Sequence, residues 1–379
     1  MRICTVSYIF PNPDKPISGI YMKEQLAEIV RQGHEAHLVT IRKPHWKIPE
    51  EEIIEGIHVH RIVSNDFLFP IKCFFKLISL DKKYSFDVIH THFVGYLTLM
   101  SGLAAKLRKK PFFVTAYGIG LDPNIASHFK KLLIRTIYNL SKKIINMSEY
   151  TRTISEHYAS KKKQTVIPPG ITLSKLKPTI EAKKFRTKHN LGNGIMLLSV
   201  GGLVWRKGHD AIISVLPDIV KRHPDLRYAI IGKGSQEQNL KKMAKGLGIG
   251  KNVIFWPNWV SDEELANFFN ACDIFALMSR TKGIAVEGFG IVYVEASALG
   301  KPVIGGKGGG TSGSVDDGKS GFLVNPDDKE ELKRKLLLLI ENKKLREKMG
   351  NYGREYARKK HLWKYRIQEI LKVYEEVVK

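Results

Sequence analysis

The sequence contains few cysteines. Only Cys4, Cys73 and Cys272 occur among 379 residues, and they lie far apart. An odd number of widely spaced cysteines, with no Cys-x-x-Cys pair, argues against a disulfide framework and against a zinc site built on thiolates. We therefore expect a protein of the reducing cytoplasm.

Long apolar runs are also missing. The longest nearly uncharged stretch, residues 93–105, is shorter than the roughly 20 residues that a membrane-spanning helix needs. The first residues form a strand-like run followed by Pro11, without the apolar core of a signal peptide. These features predict a protein that is neither secreted nor embedded in a membrane.

Acidic residues are scarce beside basic ones. Lys and Arg number 62 against 37 Asp and Glu, which gives a formal net charge of +25. The excess occurs in both halves of the chain, so it does not form a nucleic-acid-binding arm. It suits a nucleic acid, an anionic membrane surface or an anionic substrate, and a lysine-rich soluble surface is the plain alternative.

The chain does contain an alternation of apolar strands and amphipathic helices, which begins with a predicted strand at Ile3–Ile9. Such alternation is typical of a parallel sheet with helical crossovers. The pattern runs to a Pro-Pro-Gly turn at 168–170 and restarts near 195. We predict an α/β protein with two Rossmann-like parallel-sheet domains facing a cleft. The predicted domains are 1–172 and 173–360, followed by an amphipathic helix, 361–379.

Residues 287–304, in the second half of the chain, contain the candidate ligand-binding residues. Gly288 and Gly290 predict a tight turn, and a helix is expected to begin near Ile291. The free amides and positive dipole end of such a helix bind anions such as a diphosphate. Glu287 before the helix and Glu295 within it supply carboxylates that can accept hydrogen bonds from sugar or ribose hydroxyls.

This block resembles the Glu-x7-Glu signature of the family 4 glycosyltransferases, a large retaining group with the GT-B architecture. Further segments that match the family are Asp87–His92, Asp273–Ser279, Asp317–Val324 and the Trp363 helix. The resemblance covers nearly the whole chain. It implies a retaining hexosyltransferase with a nucleotide-sugar co-substrate, whose last helix crosses back to the N-terminal domain.

The resemblance also implies roles for individual residues. Glu287 is expected at the donor sugar, Lys207 at the donor phosphates and Glu295 at the ribose. The other implied contacts are the backbone amides of Phe289, Gly290 and Ile291 at the diphosphate and sugar, Gly19 in a loop at the diphosphate and acceptor side, and Gly232 and Gly234 near the nucleotide.

Two positions depart from the family pattern. Gly202 stands where the family usually has an arginine, and Arg206 is expected either to replace that charge at the phosphates or to be a surface residue. Tyr117 stands where the family often has a histidine before glycine. Its hydroxyl can bond a sugar, and a packing role is the alternative.

No metal or other cofactor is expected. The sequence has no Asp-x-Asp motif at a predicted strand end, and Lys207, Arg206 and the helix N-terminus can neutralise a leaving diphosphate. His90 and His92 alternate on a strand end, which is a spacing that can bind a metal. No third ligand accompanies them, so a structural role is favoured.

Two stretches of the sequence indicate which acceptor and which donor the protein uses. Residues 67–80 combine aromatic and aliphatic side chains with Lys72 and Lys76, which suits a segment lying on anionic lipid at the inner face of the membrane. A buried helix with solvated lysines is the alternative. The 287–295 stretch is similar to that of phosphatidylinositol mannosyltransferases, which favours GDP-mannose and a lipid-linked or polysaccharide acceptor, with UDP-sugars open.

Two other functions compete. A nucleotide-sugar-modifying or NAD-dependent Rossmann enzyme would carry Gly-x-Gly-x-x-Gly after the first strand, but Pro11 and Pro13 occur there. A basic nucleic-acid-binding protein is suggested by charge alone, and no nucleic-acid motif supports it. The expected partners are therefore a nucleotide sugar and its acceptor, and no nucleic acid.

Overall fold

The computed structural model describes residues 1–16, 18–118, 120–256, 260–281, 283 and 286–378. The chain divides into two compact units. The first contains Met1–Gly170 and the helix that begins at Trp363, and the second is Ile171–Leu362. The last helix therefore returns to the N-terminal unit. Lys379, the final residue of the predicted helix, lies outside the described residues.

The strands are β1 (Arg2–Val6), β2 (Glu35–Arg42), β3 (Glu51–Ile54), β4 (Ile57–Val63), β5 (Val88–His92), β6 (Phe112–Ala116), β7 (Lys143–Asn146), β8 (Gln164–Val166), β9 (Met196–Val200), β10 (Arg227–Ile231), β11 (Val253–Trp256), β12 (Ile274–Leu277), β13 (Val303–Gly306) and β14 (Gly321–Val324). The helices are α1 (Ile20–Arg31), α2 (Phe69–Tyr84), α3 (Tyr96–Leu107), α4 (His128–Leu140), α5 (Glu149–Ser155), α6 (Ala182–Lys188), α7 (His209–Arg222), α8 (Glu237–Gly246), α9 (Asp262–Ala271), α10 (Ile291–Ala298), α11 (Lys329–Glu341), α12 (Lys343–Lys360) and α13 (Trp363–Val378).

The sheet of the first unit has the strand order β3-β4-β2-β1-β5-β6-β7-β8. Neighbouring strands are parallel except for the antiparallel pair β3 and β4. β5 and β6 are buried along their whole length, as expected of a parallel sheet covered on both faces. On one face, Trp363, Ile367 and Tyr374 of α13 are buried in a cluster with Ile3 and Phe113.

The sheet of the second unit is parallel throughout, with the order β11-β10-β9-β12-β13-β14. Its order reverses between β9 and β12. This is the arrangement of dinucleotide-binding folds, in which ligands bind outside the carboxyl ends of the strands at the reversal. The predicted α/β class with two parallel-sheet domains is confirmed.

Two local predictions differ from the structure. The strand predicted at Ile3–Ile9 ends at Val6, because the hydroxyl of Ser7 accepts a hydrogen bond from the amide of Ile9 and turns the chain. The hairpin of β3 and β4 was not predicted, since its charged edge strand lacks a clean apolar alternation. Among the described residues, no helix is long and apolar enough to cross a bilayer.

Candidate functional site

The reversal in the second sheet brings together the loops that follow β9 and β12. The first loop contains one turn of 3-10 helix, Trp205–Lys207. The second begins with Ser279 and leads to Glu287 and α10. Lys207, Arg206 and Glu287, which the sequence placed at one site, therefore come from opposite sides of the reversal.

One carboxylate oxygen organises this site. Oε2 of Glu287 accepts hydrogen bonds from Nζ of Lys207 at 2.6 Å, from Nη1 of Arg206 at 3.0 Å and from Oγ of Ser279 at 3.2 Å. The side chains of Lys207 and Glu287 are only 13% and 12% exposed. Water screens these charges weakly, so they act strongly on any group that enters the site.

The charge state of Glu287 follows from its surroundings. Burial raises the pKa of Glu287. The charges of Lys207 and Arg206 and the hydrogen bonds from Lys207 and Ser279 lower it by a larger amount, so the pKa of Glu287 lies below its ordinary value. Glu287 is therefore a carboxylate at neutral pH and accepts hydrogen bonds. Two cations meet one carboxylate, which leaves a positive charge available to an anionic ligand.

The backbone after Lys207 presses the cationic loop against β12. Gly208 has φ 65°, and a Cβ atom at this position would lie 2.0 Å from the carbonyl oxygen of Met278. Only glycine permits this conformation and this approach together. The amide of Arg280 also donates to the carbonyl of Arg206 at 2.7 Å, which joins the two loops.

A glycine loop that the sequence analysis did not assign holds the backbone of Glu287. The amide of Gly310 donates to the Glu287 carbonyl at 2.7 Å, and a Cβ atom on Gly309 would lie 2.4 Å from the same oxygen. The glycine-rich stretch 305–310 was the available signal. Ser279 was also missed, because a single serine at a strand end forms no pattern.

The helix α10 begins at the same place. Gly290 is its N-cap and Ile291 its first residue, so the helix begins where the sequence predicted. The side chain of Phe289 is 3% exposed, which leaves only its backbone for a ligand. Glu295 lies in the second turn and is partly buried. The predicted ligand contacts of these four residues stay predictions.

Gly232 and Gly234 follow β10 beside the end of β9. A Cβ atom on Gly232 would lie 2.1 Å from the carbonyl oxygen of Gly201, and one on Gly234 would lie 2.3 Å from that of Leu203. Both glycines are therefore required for backbone packing. Their predicted place near the nucleotide stays a prediction.

Two other predicted site residues belong to the first unit. Gly19 is the N-cap of α1, and Tyr117 follows β6. The hydroxyl of Tyr117 lies 2.8 Å from Nδ1 of His92, and its ring stacks on Phe93 with centroids 4.2 Å apart. These contacts hold Tyr117 in place, and the ligand roles of both residues stay predictions.

Comparison with known proteins identifies relatives of both units. Residues 181–356 match a family model described as Glycosyl transferases group 1, and residues 18–175 match one described as Glycosyltransferase Family 4. A GDP-mannose-dependent alpha-(1-6)-phosphatidylinositol monomannoside mannosyltransferase of Mycolicibacterium smegmatis is 28% identical over 354 residues, which are 91% of this chain and 91% of that protein.

Solved structures share the fold along the whole chain. Sucrose-phosphate synthase from Thermosynechococcus elongatus superposes with a TM-score of 0.82 at 20% identity, covering 100% of this chain and 99% of that chain. Anabaena HepE in complex with UDP superposes with a TM-score of 0.81 at 20% identity, covering 100% of both chains. The architecture is thus the GT-B fold.

Proposed function

We propose a donor and an acceptor for this chain, which belongs to the family 4 glycosyltransferases and is a hexosyltransferase. The chain transfers a mannosyl residue from GDP-mannose to a lipid-linked acceptor, with retention and without a metal ion. A UDP-sugar as donor and a polysaccharide as acceptor are the competing assignments.

The observation that carries this proposal is the oxygen of Glu287 shared by Lys207 and Arg206. When a nucleotide sugar binds, its diphosphate competes for the two cations and is also placed to use the N-terminus of α10. Glu287 is then released to accept hydrogen bonds from hydroxyls of the donor sugar. Preorganised positive charge stabilises the leaving diphosphate as its charge develops, typically by about 3–4 kcal/mol for one good donor.

Retention is the outcome that the resemblance to the family implies. A carboxylate held by two cations and a hydroxyl is a poor nucleophile, so we propose Glu287 as a ligand of the sugar and not as a covalent intermediate. Retention without a covalent intermediate requires the acceptor oxygen to bond to the anomeric carbon on the face from which the phosphate oxygen leaves. The acceptor proton passes to that phosphate. Lys207 and Arg206 supply the charge that a divalent cation supplies in metal-dependent transferases.

The donor assignment rests on relatives. The mycobacterial relative named above is GDP-mannose-dependent, and the 287–295 stretch is similar to that of such mannosyltransferases. HepE, whose structure contains UDP, shares the fold alone. GDP-mannose is therefore the first donor to test, and UDP-sugars are the comparison.

The acceptor assignment has support in α2 and the residues before it. Phe67 and Phe75 are 84% and 65% exposed, and Leu68 and Ile71 are also exposed. The opposite face of α2 is buried, so its apolar residues are divided between the core and the surface. Exposed aromatic residues on a strongly basic protein favour docking on anionic lipid.

Calorimetric titration with GDP-mannose, UDP-glucose and UDP-N-acetylglucosamine in the presence of EDTA tests the donor. We expect saturable binding of GDP-mannose that weakens about 10- to 100-fold in Lys207→Ala, because charge-assisted hydrogen bonds contribute about 1.5–3 kcal/mol. Lys221→Ala, an exposed lysine of the same unit, is the control. Binding that requires an added divalent metal, or that prefers a UDP-sugar, would refute the corresponding part of the proposal.

A further inference from the structure

Three histidines share one face at the amino-terminal end of the first sheet. His37 comes from β2, and His58 and His60 come from the adjacent β4, with His37 in register with His58. The ring of His37 stacks on both others, with centroid distances of 4.7 Å to His58 and 5.3 Å to His60. Glu35 and Glu51 lie at the two ends of this cluster, which takes no part in the donor site of the second unit.

The two buried histidines form a chain between the two carboxylates. Nε2 of His37 lies 2.8 Å from Oε1 of Glu35, and Nδ1 of His37 lies 3.0 Å from Nε2 of His60. Nδ1 of His60 lies 3.5 Å from Oε1 of Glu51, and it has no hydrogen-bond partner in the part of the chain that the structure describes. Two hydrogen bonds and one longer polar contact therefore join Glu35 to Glu51.

Both ends of this chain are carboxylates, which accept hydrogen bonds. If a cation were bound by Glu35 and Nε2 of His37, Nδ1 of His37 could donate to Nε2 of His60, and Nδ1 of His60 could donate to Glu51. A cation at the Glu35 end is therefore compatible with every contact of the chain.

We propose that Glu35, His37 and His58 bind one divalent transition-metal ion, with zinc the best match. One ligand atom from each of these side chains lies within 4.8 Å of the others. Zinc bonds of about 2.0–2.2 Å to His nitrogen and carboxylate oxygen bring such atoms closer than this, so the site closes on the ion. His58 makes this adjustment, because it is partly exposed and its ring has no hydrogen bond to the described part of the chain.

The surroundings of the site support a metal. A metal-bound histidine usually donates its other N–H to a neighbouring group that fixes the ring, and His60, backed by Glu51, is placed to accept it. The second oxygen of Glu35 is held by Nε of Arg2 at 3.0 Å, which orients the carboxylate. A set of two imidazoles, one carboxylate and a water suits zinc. The ion would join β2 to β4 and stabilise the first unit.

Metal titration of the untagged, EDTA-treated protein tests this site. We expect one equivalent of Zn²⁺ to bind in competition with a chromophoric chelator, and Co²⁺ to give the visible spectrum of a four-coordinate site. His58→Ala and Glu35→Gln should each weaken Zn²⁺ binding at least tenfold. His128→Ala, which removes an exposed histidine of the same unit, should leave it unchanged.

A second measurement separates metal binding from misfolding and from the donor site. Zn²⁺ should raise the melting temperature of the wild-type protein and of His128→Ala, and should have no effect on His58→Ala. Circular dichroism and the metal-free melting temperature of His58→Ala should match those of the metal-free wild type, which verifies that the variant is folded. Absence of stoichiometric binding by the wild type, or equal binding by His58→Ala and Glu35→Gln, would overturn the proposal whether or not the donor assignment holds.

Discussion

The hydroxyl of Tyr374 lies 2.6 Å from Nδ1 of His90, so a residue of the last helix completes the hydrogen bonding of a buried histidine of β5. Nε2 of the same ring lies 2.8 Å from Oγ1 of Thr115. Both ring nitrogens of His90 are thus engaged within the core. The spacing of His90 and His92 on their strand therefore has a structural explanation for His90, and α13 is tied to the sheet by a polar contact as well as by apolar packing.

This contact predicts a stability cost for Tyr374→Phe. The change leaves a buried imidazole nitrogen without a partner, which costs about 1–3 kcal/mol. Thermal or urea unfolding of the variant should show a lower midpoint than the wild type. Tyr365→Phe on the same helix is the control, because Tyr365 is 37% exposed. Equal stability of the two variants would mean that the contact contributes little.

His90 also predicts how stability depends on pH. Burial lowers the pKa of His90 to about 3, whereas an unfolded histidine has a pKa of about 6.5. The unfolded chain therefore binds more protons below pH ~6.5, so this contribution is complete above that pH and is lost as the pH falls towards 3. Between pH 7 and pH 5 the loss is about 2 kcal/mol. In His90→Gln the decrease in unfolding free energy over this range should be smaller by that amount, while in His128→Gln it should be unchanged.

Glu287→Gln separates donor binding from transfer. The amide keeps the shape of the side chain but no longer neutralises Lys207 and Arg206, so both cations become available to a diphosphate. We expect GDP to bind at least as tightly as to the wild type. Sugar transfer should fall by about 10-fold or more, because a neutral amide oxygen accepts hydrogen bonds from the reacting sugar more weakly than a carboxylate does. Weaker GDP binding with unchanged transfer would contradict this role of Glu287.

Gly208→Ala tests the loop that carries Lys207. A methyl group there would meet the carbonyl of Met278 at 2.0 Å, in a left-handed conformation. We expect loss of GDP-mannose binding and a destabilisation of more than about 1 kcal/mol. Gly246→Ala in α8 is the matched control, since a Cβ atom there has nothing within 4 Å and alanine favours a helix by about 1 kcal/mol.

The surface of α2 predicts membrane binding. Phe75→Ser should reduce cosedimentation with anionic phosphatidylglycerol vesicles at low salt by about tenfold, because burying a phenylalanine contributes about 1.5–3 kcal/mol. Its stability should be unaffected, since Phe75 is 65% exposed. Leu247→Ser, an exposed apolar residue of the other unit, should leave binding intact. A wild-type protein that ignores such vesicles would refute a peripheral membrane role.

Much of the fold was predictable because its strands and helices follow from local patterns of apolar and polar residues. The buried parallel strands are short apolar runs, and the helices between them are amphipathic, so the two α/β units follow from periodicity alone. The charged edge strand β3 was missed for the same reason, since its stability comes from pairing with β4 and not from its own composition.

The sequence by itself determined the class of fold, the glycine turn before α10 and the identity of the charged residues at the site, because each depends on residue type and short spacing. Only the tertiary structure decided that Arg206, Lys207 and Ser279 meet on one oxygen of Glu287, and that His37, His58 and His60 share a face between two carboxylates. Those relationships depend on strand order and on parallel register. They join residues from separate loops and strands, and no local pattern specifies which neighbours the sheet will bring together.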